Sequence, residues 1–161
     1  MKPWDAAALG LQGVTGQFIG ADDRYLVELE TVAGFGLPDR YKEFLARYGA
    51  SLFHEDVVFL PIVLSPWAVD GMESLDVFYG ASETPQFDVR RVNTRLRGVL
   101  PPGTIAIAHD SGSNLVVLDS HGEIHFMDRD TGRLSLCARD FDSFLASFRV
   151  RYAGQADLDG P

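Results

Sequence analysis

Thr104-Ile-Ala-Ile-Ala108-His-Asp110-Ser-Gly-Ser-Asn114-Leu-Val-Val-Leu118-Asp119-Ser-His-Gly122-Glu-Ile-His-Phe-Met127-Asp128-Arg-Asp-Thr-Gly132-Arg-Leu134-Ser-Leu-Cys-Ala138 decides the fold. Four short apolar segments, 104–108, 114–118, 123–127 and 134–138, alternate with turns rich in Asp, Ser and Gly. Connections this short join antiparallel neighbours, because a parallel crossover needs a much longer link. The stretch predicts an antiparallel meander.

On its C-terminal side, Asp140 stands ahead of Phe141, Phe144, Leu145 and Phe148, a capped helix with one apolar stripe. Residues 153–161 are small, polar and acidic and read as a frayed tail. On its N-terminal side, Pro101-Pro-Gly103 forces a turn, and residues 86–97 carry Val89, Val92 and Leu96 at helical spacing. Leu75 to Tyr79 reads as a short strand closed by Gly80, and Val57 to Leu64 as an edge or bulged strand broken by Pro61. Further back, Asp22 caps a helix carrying Leu26, Leu29, Val32 and Ala33, which Gly34 ends. Pro38 opens a second helix whose Tyr41, Phe44, Leu45 and Tyr48 form one stripe up to Gly49. Gly10, Gly13, Gly16 and Gly20 make residues 1–21 a loosely structured lead-in, with a short helix around Asp5 to Leu9. Helices lead, a meander follows and a helix closes. That order predicts an α+β fold, a mostly antiparallel sheet packed by two N-terminal helices, a middle helix and a C-terminal helix, in a single domain spanning 1–161.

Composition bounds the function. Hydrophobic residues make up 46% and charged residues 23%, a globular balance. Lys and Arg number 14 against 23 Asp and Glu, a net charge of −9. Such a balance opposes nucleic-acid binding, which needs cations to displace phosphate counterions, and opposes attachment to anionic membranes. It suits a partner that is basic. Cys137 is the single cysteine, so neither an internal disulfide nor a cysteine-rich zinc site can form, and its apolar neighbours mark a buried strand position. Met1-Lys-Pro-Trp-Asp lacks the apolar run of a signal peptide, and no uncharged apolar stretch approaches the roughly 20 residues of a membrane helix. A cytoplasmic protein is expected.

The catalytic and metal motifs fail one by one. Gly34-Phe-Gly36 opens like a dinucleotide fingerprint, but it follows a helix and Asp39 stands where the third glycine belongs. His121-Gly-Glu-Ile-His125 has the wrong order for a zinc protease, and residues four apart on a strand lie roughly 13 Å apart. Asp110-Ser-Gly-Ser-Asn114 offers oxygens at positions one and five of a calcium loop, yet Gly112 and His121 stand where further ligands belong. His109, Asp110 and Ser111 are the residue types of a nucleophilic triad, but neighbours on one strand end point apart. No enzyme, metal or cofactor is expected.

What remains is surface. Trp67, Phe78 and Tyr79 sit near expected loops and strand ends, where they serve either the core or an interface. Around them lie Asp70, Glu73, Asp76 and Glu83, and no Lys or Arg occurs from residue 54 to 88. A solvated acidic face is one reading; an electrostatic docking surface is the sharper one. The expected partner-binding residues are Trp67, Asp70, Glu73, Asp76 and Glu83, with Asp128 and Asp130 as a second patch.

Leu37-Pro-Asp-Arg-Tyr41-Lys-Glu-Phe44-Leu45-Ala-Arg-Tyr48-Gly49 resembles the leading motif of the SUKH superfamily, particularly its Smi/Knr-like branch. Ile105 to Asp119 resembles that family's two central strands and their turn, Gly122 to Asp128 the next strand, and Phe141-Asp-Ser-Phe144-Leu145 the closing helix. The similarity runs in order from about residue 22 to 150. Gly49-Ala-Ser replaces a frequent Asn-Gly-Gly, and Ser113 replaces the second glycine of the central turn. The resemblance implies an α+β fold without known catalytic activity. It implies for many bacterial members an immunity role, in which the protein binds and neutralises a cognate toxin, often a nuclease. For others it implies a regulatory scaffold or adaptor without a toxin.

Overall fold

The computed structural model describes residues 4–151. In chain order the elements are β1 (Leu11–Gly13), α1 (Asp23–Ala33), α2 (Asp39–Tyr48), β2 (Ser51–Phe53), β3 (Val57–Phe59), β4 (Glu73–Ser74), β5 (Val77–Phe78) and α3 (Val89–Arg95). The meander follows as β6 (Thr104–His109), β7 (Leu115–Asp119), β8 (Ile124–Met127) and β9 (Leu134–Ala138), and α4 (Phe141–Ala146) and β10 (Phe148–Val150) close the chain. One sheet has seven strands in the order β1-β2-β5-β6-β7-β8-β9; a second has three, β10-β3-β4. Every neighbouring pair is antiparallel, which gives the α+β arrangement the turns predict.

Helix starts follow the aspartates. Asp22, Asp88 and Asp140 each stand at an N-cap and accept from backbone N–H groups that the first turn leaves unpaired. In α2 the cap position is Pro38, and Tyr41, Phe44, Leu45 and Tyr48 are buried, as their spacing predicts. Phe44 lies 4.8 Å from Phe78 and 5.2 Å from Phe141 between ring centroids, so α2, α4 and β5 share one aromatic core. Ile105, Ala106, Ile107 and Ala108 are all buried, so β6 is covered on both faces. Asn93 of α3 reaches Ala106 on one of them.

Four expectations need correction. Residues 4–21 are not a loose lead-in: Leu9 and Leu11 are buried, β1 pairs with β2, and Trp4 stacks among Phe44, Tyr48, Phe53 and Phe148. The glycines serve close packing there. A Cβ on Gly13 would stand 1.8 Å from the Gln17 carbonyl oxygen, and one on Gly20 2.0 Å from that of Ala46. Second, Asp5 to Gly10 forms turns, not a helix. Third, Phe148 belongs to β10 and not to the closing helix, because the chain straightens after Ala146; the side chain is buried all the same. Fourth, the strand expected over Val57 to Leu64 stops at Phe59, ahead of Pro61. The expected tail, 153–161, lies outside the described residues. Ser113, where the family favours glycine, has a φ of 64°, the left-handed region in which glycine carries no steric penalty.

Register decides which loops meet. Leu11 faces Phe53, Leu52 faces Val77, Val77 faces His109, Leu115 faces Met127, and Met127 faces Leu134. One end of the large sheet therefore gathers residues 54–56, Asp76, the β6–β7 turn and the β8–β9 turn. The opposite end carries residues 80–88, the β7–β8 turn and the approach to β6.

Candidate interaction surface

At the first of these ends, Glu55, Asp56 and Asp76 line an open cleft of about 360 Å³ together with Ser74 and apolar side chains of β2, β3 and β5. Partial burial raises the Asp76 carboxyl above its ordinary value, and the neighbouring Asp110 and Asp56 push the same way. His109 opposes that rise, while its own imidazole is lowered by burial. The His109 Nδ1 lies 2.8 Å from the Tyr79 hydroxyl, whose pKa burial pushes up to about 12.

The expected partner-binding residues separate. Trp67, Asp70, Asp76 and Asp130 lie at this end and reach solvent. Trp67 sits against the β6–β7 turn, 3.3 Å from where a Cβ on Gly112 would stand, and the Arg129 guanidinium lies 5.3 Å from its ring centroid. Asp70, with a φ of 54°, and Gly71 form the tip of a tight turn between Val69 and Met72. Asp130 pairs with Arg129 at 3.5 Å.

Glu73 and Asp128 are corrections. Glu73 is 2% exposed, and its carboxylate accepts from the Ser65 hydroxyl at 3.0 Å and the Ser65 amide at 3.3 Å. Asp128 is 6% exposed and accepts from the amides of Asp130 and Thr131, bracing the β8–β9 turn. Both carboxylates are thus largely withdrawn from the surface and engaged in holding local backbone. Glu83 is exposed but follows β5 at the opposite end of the sheet, apart from the others. Phe78 and Tyr79 are core side chains.

Glu55 and Asp56 also belong to this surface, and both fall in the cation-free stretch 54–88. So does the stretch Leu60 to Val69, where Leu60, Ile62, Val63, Leu64 and Val69 are exposed. An apolar run broken by proline signals a strand, and only the fold shows that its side chains stay outside.

The motifs that failed on spacing are built into turns. Asp110 accepts from the amides of Gly112 and Asn114 and from the Asn114 side chain, which leaves His109, Asp110 and Ser111 without a relay. Asp119, Glu123 and His125 bring ligand-type atoms within 4.8 Å of one another. Each is already engaged: Asp119 accepts from the amides of His121 and Glu123 and lies 2.8 Å from His125 Nε2, while Glu123 pairs with Arg139. Those bonds lower the Asp119 pKa against the opposing effect of burial. A divalent ion would have to displace them, so the trio acts as a hairpin brace. Cys137 is buried in β9, and burial raises its thiol well above the ordinary value. Among the described residues no helix is long and apolar enough to cross a membrane.

Exposed acids and Trp67 thus gather at one end of the sheet of an α+β domain, and the apolar loop runs towards them along the outer edge of β9. The chain belongs to the SMI1 / KNR4 family (SUKH-1), whose model matches residues 20–147. It is similar to the SPbeta prophage-derived uncharacterized protein YokK of Bacillus subtilis (strain 168), at 29% identity over 138 residues, 76% of this chain and 71% of that protein.

Proposed function

We propose that this protein binds a bacterial toxin domain and neutralises it by covering its active or substrate-binding surface. The observation that carries the reading is membership of the SUKH-1 family across residues 20–147, since the resemblance ties many bacterial members to immunity. The acidic, Trp67-bearing end of the sheet supports it as a place for a basic partner to dock. The protein works in the cytoplasm as a single domain, by occlusion and not by catalysis, without metal or cofactor. Charge accelerates the encounter when the toxin is basic, as a nuclease is.

Co-expression tests this. Each secreted gene product encoded beside this protein is produced in cells with and without it. Survival restored by this protein against one of them is the expected result. Death with every one of them, at matched expression, overturns the toxin reading and leaves a regulatory scaffold or adaptor of the Smi/Knr type as the better account.

A further inference from the structure

Among the described residues, ten large apolar side chains stand exposed, and six of them belong to one ten-residue stretch: Leu60, Ile62, Val63, Leu64, Trp67 and Val69. Scattered exposed apolar residues are ordinary, whereas a contiguous group marks an interaction site. Ile62, Leu64 and Val69 are 55%, 56% and 58% exposed, so the core does not account for them.

The stretch is held in place. The amides of Ile62 and Val63 donate to the Cys137 and Leu136 carbonyls at 3.0 and 2.8 Å, which lays the segment along the outer edge of β9. Ser65 binds the buried Glu73 carboxylate, and the Trp67 amide donates back to the Ser65 hydroxyl. Val69 and Met72 exchange both backbone bonds. Pro61 and Pro66 fix two further φ angles. The apolar side chains are thus presented outward on ordered backbone, which lowers the conformational cost of binding.

Charge says what covers them. At the end of the sheet that the strip reaches at Trp67, Glu55, Asp70, Glu73, Asp76, Asp110 and Asp128 have no ion-pair partner among the described residues. The three buried ones accept only from neutral hydroxyl, amide and side-chain N–H donors, so their charge is not cancelled locally. Arg133, at the foot of β9, and Arg149, on β10, are cations without a carboxylate partner, and two do not balance six. A second copy of this chain would bring like charges together around the strip.

We propose that the Leu60–Val69 strip is the contact surface, and that its occupant is a different protein presenting an apolar patch bordered by Lys and Arg side chains. The proposal rests on the reading that the protein works by binding another protein, and it replaces the purely acidic face with an apolar centre and an acidic surround. Trp67, with Arg129 at its ring, is the central anchor, in keeping with the enrichment of Trp and Arg at binding hot spots.

The experiment uses the full chain carrying the photo-reactive residue benzoylphenylalanine in place of Leu64, or in place of Val99 as control. Val99 is 62% exposed and lies before β6, at the opposite end of the sheet. Irradiation in the native cells should give a covalent adduct from position 64 and none from 99. The captured protein, purified, should bind Leu64→Asp and Val69→Asp at least about 30-fold more weakly than the unaltered chain, and Val99→Asp equally well. All three positions are exposed, and far-ultraviolet circular dichroism verifies that each variant is folded. No adduct at 64, an adduct between two copies of this chain, or unchanged affinity of both strip variants overturns the proposal. A captured partner that is not a toxin, bound through the strip, upholds the surface and overturns the toxin reading. Rescue from a toxin that survives Leu64→Asp and Val69→Asp does the reverse.

Discussion

Glu73 carries two duties that conflict. Its carboxylate ties Ser65 to β4 and so fixes the start of the Trp67 turn, yet it is buried with no cation beside it. Burial raises its pKa above the ordinary 4.5, the Asp110 charge adds to the rise, and the two Ser65 bonds oppose it. Below about pH 4.5 the folded and unfolded chains both hold the proton, and the group costs nothing. As pH rises, the unfolded chain ionises first, and this contribution to stability is lost as pH passes through the folded value. Glu73→Gln removes the titration while keeping a carbonyl for the Ser65 amide and an amino group for its hydroxyl. Its stability relative to the unaltered protein, from urea unfolding, should therefore increase between about pH 4 and pH 7. A constant difference across that range would show that the Glu73 proton is not linked to folding.

At the level of elements, α3 is hydrogen-bonded to β6 through one side-chain amide. The Asn93 Nδ2 donates to the Val89 and Ala106 carbonyls, both at 2.8 Å, and its Oδ1 accepts from the Ala106 amide at 2.7 Å. Ala106 lies where the β6–β7 register shifts, so its backbone groups turn to Asn93. Asn93→Ala leaves a buried N–H and C=O unpaired, at a cost of about 1–3 kcal/mol for each such group. The expected loss is about 3 kcal/mol in urea unfolding, and a loss below about 1 kcal/mol would show that water or a shifted strand takes over the bonds. The periodicity of Val89, Val92 and Leu96 made α3 legible, and Asp22 and Asp140 gave two helix starts away, whereas the Asp88 cap became visible only in the structure. Asn93 itself was not legible: a polar residue at that spacing reads as solvent-facing until a bulge is known to need it. Tyr25 was missed for a similar reason. It is buried at the opening turn of α1, with its hydroxyl donating to the Gly80 carbonyl, a partner 55 residues away.

Across the whole molecule, local chemistry was readable and the meeting of distant segments was not. The meander followed from turn residues alone, whereas the sheet order put β5 beside β6 and so carried Glu83 away from Asp76, seven residues earlier in the chain. The same topology buried Glu73 and Asp128, which the charge count treats as equal to Asp70 and Asp130. The acidic surface is thus smaller than the sequence suggests, and Arg129 and Arg151 offset part of it by pairing with Asp130 and Asp56. Electrostatic steering depends on the acids that reach solvent without a partner, chiefly Glu55, Asp70 and Asp76. Reversing Asp70 and Asp76 to Lys changes the net charge by four and leaves the buried carboxylates untouched. With the toxin identified by rescue, stopped-flow mixing at low ionic strength should show association slowed by at least about tenfold, with a flatter dependence on salt. Dissociation should change much less, because apolar burial and not rim charge holds the complex. An association rate equal to that of the unaltered protein would remove these acids from the encounter and leave the apolar strip as the whole of the recognition.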